Sequence, residues 1–158
     1  MATLKPVQIA GWLKDVNDNF DTVETAITKI EGLNVTKFTF DTAANDANTT
    51  PASNKTVAAH PLAVKIPDNA IVIMGFVDVI AAVTSDGDAT VAIHLANAND
   101  LLTATAKTNL TLGALIPMAA AATTPFKLTA EKAVTVTVGT AELTAGKIDG
   151  YIVWIEGA

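Results

Sequence analysis

The sequence predicts a mainly β chain: an antiparallel, jelly-roll-like β-sandwich with a short N-terminal α-helix that forms a trimeric bundle. Three observations carry this. Short stretches rich in Val, Ile, Thr and Ala follow one another with Gly, Asn, Asp and Pro between them, and no βαβ alternation appears. One segment near the start, and no other of useful length, places apolar residues at helical spacing. Half of the chain is hydrophobic (50%) but only 5% is aromatic, so the core must be aliphatic.

The helical segment is "DVNDNFDTVETAITKI", Asp15 to Ile30. Its first half holds Asn17, Asp18, Asn19, Asp21 and Thr22, whose side chains compete for backbone hydrogen bonds and disfavour a helix interior. Something beyond intrinsic propensity must hold it. Leu13, Val16, Phe20, Val23, Ile27 and Ile30 form a heptad seam, with Leu13, Phe20 and Ile27 at a and Val16, Val23 and Ile30 at d. β-branched residues at each d position shift preference away from parallel dimers, and a trimer is expected. Gly32 suits the left-handed position that ends a helix. The boundary thus falls between an oligomerisation segment, 1–33, and a β-domain, 34–158. An ordinary amphipathic helix lying on the domain's own sheet is the competing reading of the same seam.

After Gly32 the apolar period becomes two. "VTKFTF" (Val35 to Phe40) reads as a strand, and the polar "DTAANDANTTPASNKTVAAHP" as a long loop or arm. Then come "LAVKI", "AIVIMGFVDVIAAV" and "ATVAIHL", the last two joined by the hairpin connection "TSDGD". "LLTATA", "NLTLGALI", "FKLTA", "AVTVTVG" and "KIDGYIVWIEG" complete the set. In "AVTVTVG" the valines face one side and the threonines the other, as in a half-buried strand. "AIVIMGFVDVIAAV" is apolar on both faces: Ile71, Ile73, Val77 and Val79 against Val72, Met74, Phe76 and Ile80. "YIVWI" has the same character, with Tyr151, Val153 and Ile155 opposite Ile152 and Trp154. Such strands need cover on their second side, from another subunit or from the long arm.

Composition excludes several classes of function. Net charge is −6, and all 10 basic residues are Lys. With no basic run to neutralise phosphates, no nucleic-acid partner is expected. The most apolar run, Ala70 to Val83, is interrupted by Asp78 and is shorter than the roughly 20 residues a membrane helix needs, so no membrane partner is expected either. The N-terminus shows no continuous apolar stretch of signal-peptide type. There is no cysteine, hence no disulfide, thiolate metal site or Cys nucleophile.

Catalytic, cofactor and metal sites are all expected to be none. Only His60 and His94 titrate near neutrality, and neither has a paired His at i+4 or a Ser elbow nearby. Both read as surface histidines, His60 in the loop before Pro61. Asp86, Gly87 and Asp88 lack the further oxygen ligands of a calcium loop and read as a turn; "NAND" (Asn97 to Asp100) reads as another loop. A small hydrolase is the least supported class.

"VNDNFDTVETAI" resembles a recurrent element near the N-termini of bacteriophage virion proteins, fibres especially, matching at Val16, Asn17, Asn19, Phe20, Val23, Ala26 and Ile27. "KIPDNAIVIMGFVDVIAAVTSDGDATVAI" and "PFKLTAEKAVTVTVGTAELTAGKIDGYIVWIEG" are similar to β-sandwich proteins of tailed phages. The resemblance implies a trimeric, non-enzymatic virion structural protein at the capsid surface: a decoration (cement) protein, a head fibre or a short tail fibre. Its partners would be itself and the major capsid protein or another virion protein. Small size and the lack of tandem repeats favour decoration over a long tail fibre. A receptor- or glycan-binding short tail-fibre module is the alternative.

Overall fold

The computed structural model describes residues 32–43, 53–118 and 124–157. The seam from Leu13 to Ile30 and residues 44–52 of the polar loop lie outside the described residues. Among the latter there are nine strands: β1 (Leu33–Asp41), β2 (Ala59–Ile66), β3 (Ala70–Thr84), β4 (Thr90–His94), β5 (Leu102–Ala106), β6 (Leu115–Pro117), β7 (Phe126–Lys127), β8 (Lys132–Gly139) and β9 (Ala145–Glu156). They form two antiparallel sheets. One has the order β1-β9-β3-β6, with β7 also on β3; the other has the order β2-β8-β4-β5. Inward side chains of both sheets meet in a single apolar core, built as expected from Val, Ile and Leu with Phe38 and Phe40.

The second sheet follows the alternation of its sequence. Val134, Val136 and Val138 of β8 are buried, and Thr135 and Thr137 between them are half-buried on the other side. β8 pairs with β2 on one side and β4 on the other, so its apolar edge locks both registers. β2 begins earlier than its apolar letters indicate and includes His60 and Pro61. Proline fits there because β2 is an edge strand, where a missing N–H breaks no ladder bond. His60 is therefore no surface residue. It shares the inward face with Leu62 and Ile66 and is only 3% exposed. Its Nε2 donates to the Thr56 carbonyl at 2.9 Å, and its ring lies 5.9 Å from that of Phe40.

In β3 the two expected faces are redistributed by a β-bulge. Val72 lies opposite Trp154 and Met74 opposite Val153, leaving Ile73 without a partner of its own on β9. The extra residue inverts the alternation. Val72, Val77, Val79 and Val83 consequently all reach the core, whereas Ile71, Ile73, Met74 and Phe76 do not. Gly75 follows the bulge, where an added Cβ would fall 2.6 Å from Met118 Sδ and 2.7 Å from the Tyr151 carbonyl oxygen. In β9, Gly150 makes room for the Phe38 ring packed over it.

The stretch "NLTLGALI", expected as a strand, is mostly a turn. Leu110 is buried, Gly113 takes φ +76°, and only Leu115–Pro117 pairs as a strand. Its backbone is satisfied by β3 instead: Gly113 N–H donates to Val79 O (2.8 Å) and Val79 N–H to Ala114 O (3.0 Å). "FKLTA" contributes only the two residues of β7. β6 and β7 share one edge of β3, pairing at Phe76–Asp78 and at Ile71–Val72 respectively.

The Phe38–Gly150 contact yields a test. A β-carbon in Gly150→Ala would collide with Phe38 Cζ and Cε1, so the substitution should destabilise by about 1–3 kcal/mol through overpacking. Urea unfolding should show a lower midpoint with an unchanged slope. An unshifted midpoint would show that the ring does not sit over this residue.

Candidate functional site: the outer face of the β1-β9-β3-β6 sheet

The side of this sheet turned away from the core is assembled in rows. Ile71 lies opposite Ile155, Met74 opposite Val153, Phe76 opposite Tyr151, and Asp78 opposite Asp149. On the other flank of β3, Pro117 pairs with Phe76 and Leu115 with Asp78. β1 adds Val35, Lys37, Thr39 and Asp41, the residues that alternate with its inward Phe38 and Phe40. Seven large hydrophobic residues are exposed among the described residues, and five of them (Leu33, Val35, Met74, Ile80 and Leu115) belong to strands of this sheet. Exposure reaches 48% at Met74 and 60% at Val35. The outer face of the other sheet differs in kind: it carries Thr90, His94, Thr135, Thr137 and small alanines.

Past the aromatic row the face becomes ionic along β1 and β9, while exposed Leu115 and Ile80 flank Asp78 on the β3–β6 side. The aromatic pair at the border is stacked, with ring centroids 4.9 Å apart and planes at 21°. Lys37 Nζ lies 5.6 Å from the Tyr151 centroid and 2.7 Å from Asp149 Oδ2. Thr39 Oγ1 donates to Asp149 Oδ1 at 2.6 Å, and Lys147 pairs with Asp41 at 3.2 Å. Burial pushes the Asp149 carboxyl up. Hydrogen bonds from Lys37 and Thr39 and the charges of Lys37 and Lys147 outweigh it and hold the group below its ordinary value. The hydrogen bond to Asp149 in turn raises Lys37, against a smaller opposing effect of desolvation. Asp78 faces Asp149 directly across the ladder, an arrangement of like charges that Lys37 eases from one side only.

The other polar candidates serve the fold. The Asp100 carboxylate accepts from the backbone N–H groups of Leu95, Ala96 and Asn97 at 2.8–2.9 Å, so "NAND" is a loop organised by one side chain. Asp86, Gly87 and Asp88 form the β3–β4 turn, where Gly87 N–H donates to Ser85 Oγ at 3.1 Å. His94 lies on the outer face of its sheet, 3.5 Å from Thr137 Oγ1, in a shallow depression of about 270 Å³ lined by Thr, Ala, Asn and Gly. Among the described residues no acid or second base joins it there. Among the described residues no three His, Cys, Asp or Glu side chains converge as metal ligands would. The Lys37–Asp149–Thr39 linkage was not visible in the sequence, because its partners lie 110 residues apart.

The depressed Asp149 sets a pH window. Its linkage adds stability above the ordinary carboxylate range near 4, and that stability is lost as pH falls through the lower folded value. The difference in unfolding free energy between wild type and Asp149→Asn should therefore be flat from about pH 8 to 5 and shrink below about pH 4. A difference that widens on acidification would contradict the linkage.

No protein-family model matches the sequence, and no curated relative does. Similarity to solved structures is clear in shape and low in sequence. A chain of the acidic stable capsid of Helicobacter pylori bacteriophage KHP30 is 15% identical with a TM-score of 0.54, the match covering 80% of this chain and 89% of that one. A chain of the capsid of Ralstonia phage GP4 is 18% identical with a TM-score of 0.54, covering 79% and 86%. A chain of the Cyanophage Pam1 capsid asymmetric unit is 14% identical with a TM-score of 0.57, covering 78% and 84%. At this identity the likeness is one of fold.

Proposed function

We propose that this chain is a non-enzymatic structural protein of a bacteriophage virion. It sits at the capsid surface as a homotrimeric decoration (cement) or head-fibre protein, with residues 1–33 as the oligomerisation segment and 34–158 as a β-sandwich. The observation that carries this reading is the likeness in fold to chains of three phage capsids, extending over 78–80% of this chain. The strand orders β1-β9-β3-β6 and β2-β8-β4-β5 support a jelly-roll reading, the double-sheet architecture found in viral capsid domains.

The chemistry agrees with a scaffold role. Polar side chains such as Asp100, Asp149 and His60 bind backbone or neighbouring strands. The seam Leu13, Val16, Phe20, Val23, Ile27 and Ile30 supplies self-association, and three copies on equivalent capsid sites add avidity. A glycan-binding fibre tip needs aromatic side chains on its loops. Among the described residues all six aromatic side chains, Phe38, Phe40, Phe76, Phe126, Tyr151 and Trp154, lie within strands.

Antibody labelling of intact virions tests this reading. Gold over the heads is the expected result. Gold confined to tail tips would favour the receptor-binding alternative, and unlabelled particles carrying no copies by mass spectrometry would refute a virion role.

A further inference from the structure

Building on the proposed self-association, we infer that the apolar half of the outer face of the β1-β9-β3-β6 sheet is covered by a second copy of this chain. Three observations lead there. The face has the layout of an interface: an apolar centre around Met74, Val153 and Val35, bordered by the polar Lys37, Asp149 and Asp78. Next, the residues that precede the described ones continue in sequence into a strand of this sheet. Residues 1–31 lead through Gly32 into β1, whose Val35 belongs to the patch. The chain that carries the seam therefore continues directly into a strand of this sheet and not into one of the Thr- and Ala-rich sheet.

The third observation is size. Three strands, β1, β9 and β3, about 4.8 Å apart and over some six residues of about 3.3 Å rise, give a footprint of roughly 300 Å². A stable stand-alone complex buries roughly 800 Å² per partner, so this patch is too small to hold two free molecules together. It is large enough to close once a tether supplies an effective concentration in the millimolar range. A face of this area and polarity suits an interface secondary to the seam.

The test uses the full chain, whose lack of cysteine lets one introduced thiol report alone. Met74→Cys places it on the apolar face, and Thr103→Cys on an exposed position of the other sheet. Both are labelled with a charged maleimide, in otherwise wild-type protein and in a Phe20→Asp background, with each rate normalised to its value in urea and the mass measured in parallel. In the oligomer, Met74→Cys should label at least about 10-fold more slowly than Thr103→Cys, and the gap should vanish in the Phe20→Asp monomer. Equal rates in the oligomer would overturn the inference while leaving self-association intact. Slow labelling that persists in a monomer would overturn it too, because the cover would then belong to the same molecule. An otherwise wild-type chain found monomeric would remove the proposed self-association and this inference together. A Phe20→Asp oligomer that still protects the thiol would support the covered face and refute the seam.

Discussion

The register of β3 against β9 is the constraint on which the rest of the molecule depends. β3 is the longest strand among the described residues, and it pairs along its length with β9, which also borders β1. The single extra residue at Ile73 brings Val72 onto the same side as Val77 and Val79, and it leaves Met74 and Phe76 outside. Without that bulge either Val72 or the Val77–Val79 pair would leave the core, since a one-residue slip exchanges the two faces of a strand. With it, one sheet closes a core on its inner side and still presents aliphatic side chains outward.

Much of this was legible in the sequence, and the failures have physical causes. "AVTVTVG" and "KIDGYIVWIEG" announced β8 and β9 because strict alternation and a two-faced apolar run are strong strand signals. The apolar character of both faces of β3 was equally visible, but not which residue faces which way, because a bulge leaves no mark in composition. Pro61 concealed the start of β2: a proline reads as a loop until the strand is known to be an edge. Had alternation been followed back through it from Ile66 and Leu62, His60 would have fallen inside. "NLTLGALI" misled for the opposite reason. Its leucines are spaced like a strand, but Gly113 turns the chain and the backbone bonds the C-terminal half of β3 at Val79 and Val83.

The candidate site was half legible. Its apolar rows were expected, as was their need for cover. Its ionic border was not, because Lys37 and Asp149 are brought together only by the adjacency of β1 and β9. This border gives the face its polarity. Lys37 and Thr39 hold the Asp149 carboxylate ionised beside a stacked aromatic pair, so apolar and charged surface meet along one row. The outer face of the other sheet, with its threonines and alanines, offers water ordinary polar surface. Such an asymmetry between two sheets of equal standing in the core fits a domain that turns one side to company and the other to solvent.

The central claim is that association between identical chains hides aliphatic surface that one copy leaves wet. Sedimentation equilibrium of the purified full-length protein at micromolar concentration tests it most directly. The account predicts a mass three times that of the 16.3 kDa chain, falling on dilution. A single ideal species at 16.3 kDa across the concentration range would contradict it.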